Sequence, residues 1–188
     1  RQVVDQLQDF WGDGDLQPGN WVAVYYFDEN NNRVREEFHW PSVRVNYAHD
    51  WVEGDYPATH TLWITVTNSV GTVKATMVDT TTVVPWWGGQ TGFSTPMGSW
   101  SPGQPDIVSG DWVSGTLDNG YTSTVHVGTI SGTVDAASNS VSGTITANWF
   151  TQLLSMRCEV WVENGPDSIN TSVNPDGGSY QCDFDDVG

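Results

Sequence analysis

The chain has 188 residues and carries 23 Asp plus Glu against 6 Lys plus Arg, a formal net charge of −17. That charge repels phosphate backbones and anionic headgroups, which excludes nucleic acid as a partner, and no window offers the 18 or so apolar residues that insertion into a bilayer requires. The 11 Trp, 6 Tyr and 6 Phe are enough to give each of two small units a core, since one buried ring removes about 150–250 Å² from water.

In chain order, Val3, Val4, Leu7, Phe10 and Trp11 recur at helical spacing before Gly12. A helix this short is marginal without packing, which leaves residues 1–14 open between a helical turn and an extended arm. Trp21–Phe27 reads as a strand, Asp28-Glu29-Asn30-Asn31-Asn32 as a turn, and 33–38 as the returning strand of a hairpin. A second hairpin is expected from 62–66 and 72–78, turning at 68–71. Strands are also predicted at 121–127, 129–134 and 141–147, and a cysteine hairpin, 156–162 with 179–184, closes the chain. A brief helical spacing of Trp149, Phe150, Leu153 and Leu154 precedes it. The stretch 85–105 holds four prolines and five glycines, yet also Trp86, Trp87, Phe93 and Trp100. A flexible linker does not carry that aromatic load, so it reads as an ordered connector whose rings pack between two halves.

Two patterns repeat. Asp15-Leu16-Gln17-Pro18-Gly19-Asn20-Trp21-Val22 returns as Asp106-Ile107-Val108-Ser109-Gly110-Asp111-Trp112-Val113, a step of 91 from Gly19 to Gly110. Val43-x-Val45 with Trp51-Val52-Glu53-Gly54 returns as Gly132-x-Val134 with Ser140-Val141-Ser142-Gly143, a step of 89 from Gly54 to Gly143. A shared period near 90 implies a duplicated unit the size of a small sandwich. The expected fold is therefore all-β, with an arm at 1–14, one copy from 15 to 95 that includes the start of the connector, and a second from 96 to 188.

These residues, together with the closing Cys158 … Pro175-Asp176-Gly177-Gly178-Ser179-Tyr180-Gln181-Cys182-Asp183-Phe184, resemble the tandem immunoglobulin-like β-sandwich repeats of very large bacterial surface proteins. In those proteins the closing cysteine segment of one repeat leads into the Asp-x-x-Pro-Gly opening of the next. The ends of this chain agree with that, because Gln8-Asp9-Phe10 is similar to Gln181-Cys182-Asp183-Phe184. The resemblance implies one double unit of a polymer or array. It brings no catalytic residues, and the first half has no cysteine pair.

Two cysteines, Cys158 and Cys182, without any zinc-ligand spacing read either as one disulfide of an oxidising compartment or as two buried thiols, the former favoured in a chain with one lysine. Arg1 in place of an initiator Met points to a mature or cut product, and the expected location is secreted or at the cell surface. His39, His49, His60 and His126 show no metal-binding spacing and no Gly-x-Ser-x-Gly elbow is present, so no enzyme is expected. Glu36, Glu37, Asp50, Glu53 and Asp55 can be paired as glycosidase carboxylates only by the coincidences an acidic chain supplies. Calcium fits Asp13 with Asp15, and Asp183 with Asp185 and Asp186, as oxygen ligands on turns. Asp28-x-Asn30-x-Asn32 lacks the Gly and distal Glu of a calcium loop and reads as a hairpin turn. An isopeptide crosslink at Lys74, as some surface sandwiches form, has no matching lysine in the second half, and Asn170-Thr171-Ser172 is a glycosylation sequon of the kind that is common by chance.

The sequence thus points to self-association into a polymer or tandem array. Val3, Val4, Leu7, Trp86, Trp87, Phe93 and Trp100 are the candidate inter-domain or inter-subunit contacts, and residues 1–7 are a candidate edge strand for a neighbour's sheet. The alternative is a carbohydrate-binding module stacking glycans on Trp86, Trp87 and Trp100.

Overall fold

The computed structural model describes residues 21–39, 41–84, 89–95, 99–149, 156–161 and 168–185. Their regular structure is entirely β: β1 Trp21–Phe27, β2 Arg33–His39, β3 Arg44–Asn46, β4 Trp51–Asp55, β5 Thr61–Thr67, β6 Val73–Thr80, β7 Thr82–Val83, β8 Thr91–Ser94, β9 Trp112–Leu117, β10 Thr122–His126, β11 Thr129–Asp135, β12 Ser140–Thr146, β13 Met156–Trp161, β14 Ser168–Val173 and β15 Ser179–Asp183. Every registered pair is antiparallel, as expected of strands that alternate apolar with polar residues between tight turns.

Local signals produced the elements they promised. Asp28 closes the β1–β2 turn by accepting the Asn30 and Asn32 amides at 2.9 and 2.8 Å and the Asn32 side-chain amide at 2.7 Å. Asn31 there takes φ 63°, a left-handed conformation that asparagine tolerates. Asn68 does the same for β5–β6 by accepting from Val70 and Thr72, with Gly71 at φ 85°.

Two compact units result. The first takes the described residues through Asp106 together with Trp112–Val125; the second takes Ile107–Asp111 and the described residues from His126 onward. This differs from the 15–95 and 96–188 division. The physical reason is strand pairing: β9, which carries the second Trp-Val motif, hydrogen-bonds to β5 over six registered residues.

Besides the β1–β2 ribbon, the first unit contains two four-stranded sheets, β3-β4-β8-β7 and β10-β9-β5-β6. Their buried residues alternate along the strands: Val52 on β4, Leu62, Ile64 and Val66 on β5, Ala75 and Met77 on β6, Val113 and Leu117 on β9. Full burial of each large aliphatic chain contributes about 1.5–3 kcal/mol. The Gly/Pro-rich stretch read as a connector supplies core instead. Its residues Thr91–Ser94 form the central strand β8, Phe93 is buried opposite Gly54, and Trp100 is buried too. A Cβ on Gly54 would lie 1.8 Å from the Ser42 carbonyl oxygen and 2.6 Å from the Phe93 ring, so only glycine fits between them.

The second unit contains the three-stranded sheet β11-β12-β15 and the pair β13-β14. The closing cysteine hairpin is not formed: β13 pairs with β14, and β15 pairs with β12. Cys158 on β13 and Cys182 on β15 are nevertheless disulfide-bonded, so the bridge staples two sheets. Tyr180, Cys182 and Phe184 form the centre of this core, with Val141, Met156, Cys158 and Val173 packed around it. Replacing both cysteines by serine is expected to cost about 3 kcal/mol, given the chain separation of 24 between them. Chemical denaturation should show the loss in the second unit's transition while the first unit's stays in place.

Candidate assembly site

Some strand pairings recur along the chain. β3-β4-β8 matches β11-β12-β15, and the β5-β6 pair matches β13-β14. β1-β2 likewise matches the hairpin β9-β10. Phe93 stands opposite Gly54 in one set and Tyr180 opposite Gly143 in the other. Tyr180 donates from its hydroxyl to the Ser131 carbonyl at 3.0 Å, reaching across Gly132, where a Cβ would lie 2.5 Å from the oxygen.

What does not repeat is how the hairpins are used. β9–β10 docks on β5 and completes a four-stranded sheet. Its register sets Leu117 opposite Leu62, Gly115 opposite Ile64 and Val113 opposite Val66. Gly115 leaves room for Val43, which precedes β3 of the other sheet: a Cβ there would lie 3.1 Å from Val43 Cγ2. The seam is clasped at one end. Asp118 Oδ1 lies 2.8 Å from His60 Nδ1, and Oδ2 accepts the Thr61 amide at 2.9 Å. The Asp118 amide in turn donates to the Thr61 carbonyl, and Asn119 donates to the Tyr56 hydroxyl at 2.6 Å. The outer face of this sheet is rich in hydroxyls: Thr116 bonds Thr122 and Ser114 bonds Thr124, beside exposed Trp63 and Trp112.

By contrast, among the described strands β1 pairs only with β2 and β13 only with β14. On β1–β2, Val24, Tyr26 and Val34 share a face and are 55%, 65% and 50% exposed. On the opposite face Tyr25 lies under the guanidinium groups of Arg33 and Arg35, at 5.0 and 5.4 Å from the ring centroid. An isolated two-stranded ribbon is marginal in water, and a face like the first invites a cover. β13 is similarly underpacked. Met156 and Cys158 are half-buried and Val160 is exposed, whereas Leu62, Ile64 and Val66 of β5 are fully buried.

The sequence-predicted contact residues divide accordingly. Phe93 and Trp100 are core residues of the first unit; Val3, Val4, Leu7, Trp86 and Trp87 lie outside the described residues. So do Asp13, Asp15 and Asp186 of the calcium sets. Asp183 Oδ1 accepts the Asp185 amide at 2.9 Å, closing a local turn. Among the described residues no three His, Cys, Asp or Glu side chains gather around a possible metal position. The Asp28 carboxyl is held below the usual carboxylate range, first by the Asn32 side chain, because the turn uses its oxygens. Of the histidines, His60 joins the Asp118 clasp, His49 lies against Trp51 and His126 stacks on Trp149 at 3.5 Å. Lys74 donates to the Asp106 backbone carbonyl, and Asn170 is exposed on β14.

The Asp118 clasp was missed in the sequence because its partners are 57 and 58 residues away. The hairpin Leu117-Asp118-Asn119-Gly120-Tyr121 was its one local signal. No family model matches this sequence, and no curated protein or solved structure matches it significantly.

The clasp titrates in a definite direction. Asp118 is held below the usual carboxylate range, chiefly by its hydrogen bond to His60 and then by the Thr61 amide. A carboxyl whose folded-state pKa is depressed adds stability above its unfolded value, about 3.9, and that contribution is lost as pH falls through the folded value. Asp118→Asn is therefore expected to lower the melting temperature of the first unit at neutral pH. The gap from wild type should close in acid below the ordinary carboxylate range, as thermal unfolding followed across pH will show.

Proposed function

We propose that this chain is a structural repeat of an extracellular filament, stalk or sheath, built from immunoglobulin-like β-sandwiches that follow one another and complete each other's sheets. One observation carries the reading: the hairpin β9–β10, which belongs to the second sequence repeat, completes the sheet begun by β5–β6 of the first. A strand supplied by the next repeat satisfies backbone N–H and C=O groups along a whole edge, and it transmits tension through hydrogen bonds loaded side by side. The disulfide between the sheets of the second unit supports a secreted or cell-surface setting, where such bonds persist. The charge of −17 keeps an aromatic-rich β protein from associating indiscriminately, so contact is confined to surfaces shaped for it. Glycan binding at Trp86, Trp87 and Trp100 has less support, since the buried Trp100 has no ring face to offer a sugar.

The test is self-association of the full chain. Sedimentation velocity should show species that lengthen with protein concentration, and electron microscopy should show filaments with a regular axial repeat. A monodisperse monomer at every concentration would contradict the proposal.

A further inference from the structure

We infer that the β1–β2 ribbon of one copy adds to β13 of a second copy of this chain, forming a four-stranded sheet β2-β1-β13-β14 that reproduces the internal sheet β10-β9-β5-β6. The inference rests on the assembly reading and names its interface.

The internal sheet is the template. The hairpin that docks there, β9–β10, corresponds to β1–β2 by the step of 91 from Trp21 to Trp112, and the strand that receives it, β5, corresponds to β13. Matching the first inward residue of each strand, Leu62 with Met156, sets the second alignment: the inward residues Leu62, Ile64 and Val66 correspond to Met156, Cys158 and Val160, a step of 94 from Ile64 to Cys158. Carrying the observed pairs Val66–Val113, Ile64–Gly115 and Leu62–Leu117 across gives the register of the new seam. Val22 falls opposite Val160, Val24 opposite Cys158, and Tyr26 opposite Met156.

Two observations converge on this register. First, the residues it would bury are those left uncovered: Val24, Tyr26 and Val160 are all exposed, although each lies at a position whose counterpart is fully or nearly fully buried. Second, both ribbons are two-stranded among the described strands, so each has an edge of the kind that pairs by strand addition. The clasp is the part that does not carry over, because Leu154 and Ser155 occupy the positions of His60 and Thr61. The new seam therefore relies on backbone pairing and apolar cover.

Because the ribbon and its receiving strand are different surfaces of the chain, each such contact is heterologous. That gives a test by complementation. Val24→Asp disables the ribbon and Val160→Asp disables the receiving strand. Both side chains are exposed in the lone chain, so thermal unfolding should confirm that each variant keeps its fold. Burying an unpaired carboxylate in the seam should weaken association by at least about a hundredfold. Each variant alone is expected to sediment as a monomer, and an equimolar mixture as a one-to-one dimer, since one intact ribbon meets one intact receiving strand. Filaments that persist in either single variant, or a mixture that stays monomeric while wild type polymerises, would overturn this interface yet leave assembly standing. A wild-type chain that never associates would overturn both.

Discussion

An antiparallel hairpin satisfies the backbone on its inner edges and leaves two outer edges bare. Everything distinctive in this chain follows from how the outer edge of β5 is covered. β9 lies along it through six residues, with three inward positions matched against fully buried Leu62, Ile64 and Val66. Remove that hairpin and the first unit's second sheet shrinks to the pair β5-β6, one face of its core opens, and the Asp118 clasp has nothing to hold. The second unit has that reduced form. Its β13-β14 pair matches β5-β6 without a covering hairpin among the described strands, and its inward residues are correspondingly less buried.

The repeat in the sequence and the unit in space are therefore out of phase by one hairpin. Such an offset is what links successive copies in an array built by strand addition, because each copy stays incomplete until the next arrives. It also gives the disulfide a physical purpose. A unit with a three-stranded sheet and a two-stranded ribbon has less core than one with two four-stranded sheets. A covalent staple from β13 to β15 offsets part of that deficit.

The legible parts of the fold were the ones encoded nearby. The β1–β2 and β5–β6 hairpins could be read because Asp28 and Asn68 are turn residues beside alternating strands, and both proved to bond the amides of their own turns. Pairing at long range was not legible. Nothing near Trp112 says that its strand will lie against β5, because an edge strand accepts any sequence of suitable alternation. The division at residue 95 followed from assuming that a repeat in sequence is a unit in space. The connector was misread for a compositional reason: Thr91-Gly92-Phe93-Ser94 is short and flanked by Gly and Pro, so its strand character is hidden although Phe93 is a core anchor. The cysteine hairpin failed because the segment between the cysteines held a further strand, β14, that took the place beside β13. The pairing of Gly54 with Phe93 and of Gly143 with Tyr180 was foreshadowed by the repeated glycines, though only the sheet register revealed their aromatic partners.

Amide hydrogen exchange on the two equivalent strands, β5 and β13, tests the out-of-phase arrangement most directly, since both are read in one sample. In dilute monomer, amides of Thr61–Thr67 on both edges of β5 should exchange only with unfolding of the first unit. On β13, Met156–Trp161, the amides facing β14 should be protected and the alternate ones should exchange quickly, slowing as the protein is concentrated. Equal, concentration-independent protection of both strands in the monomer would contradict it.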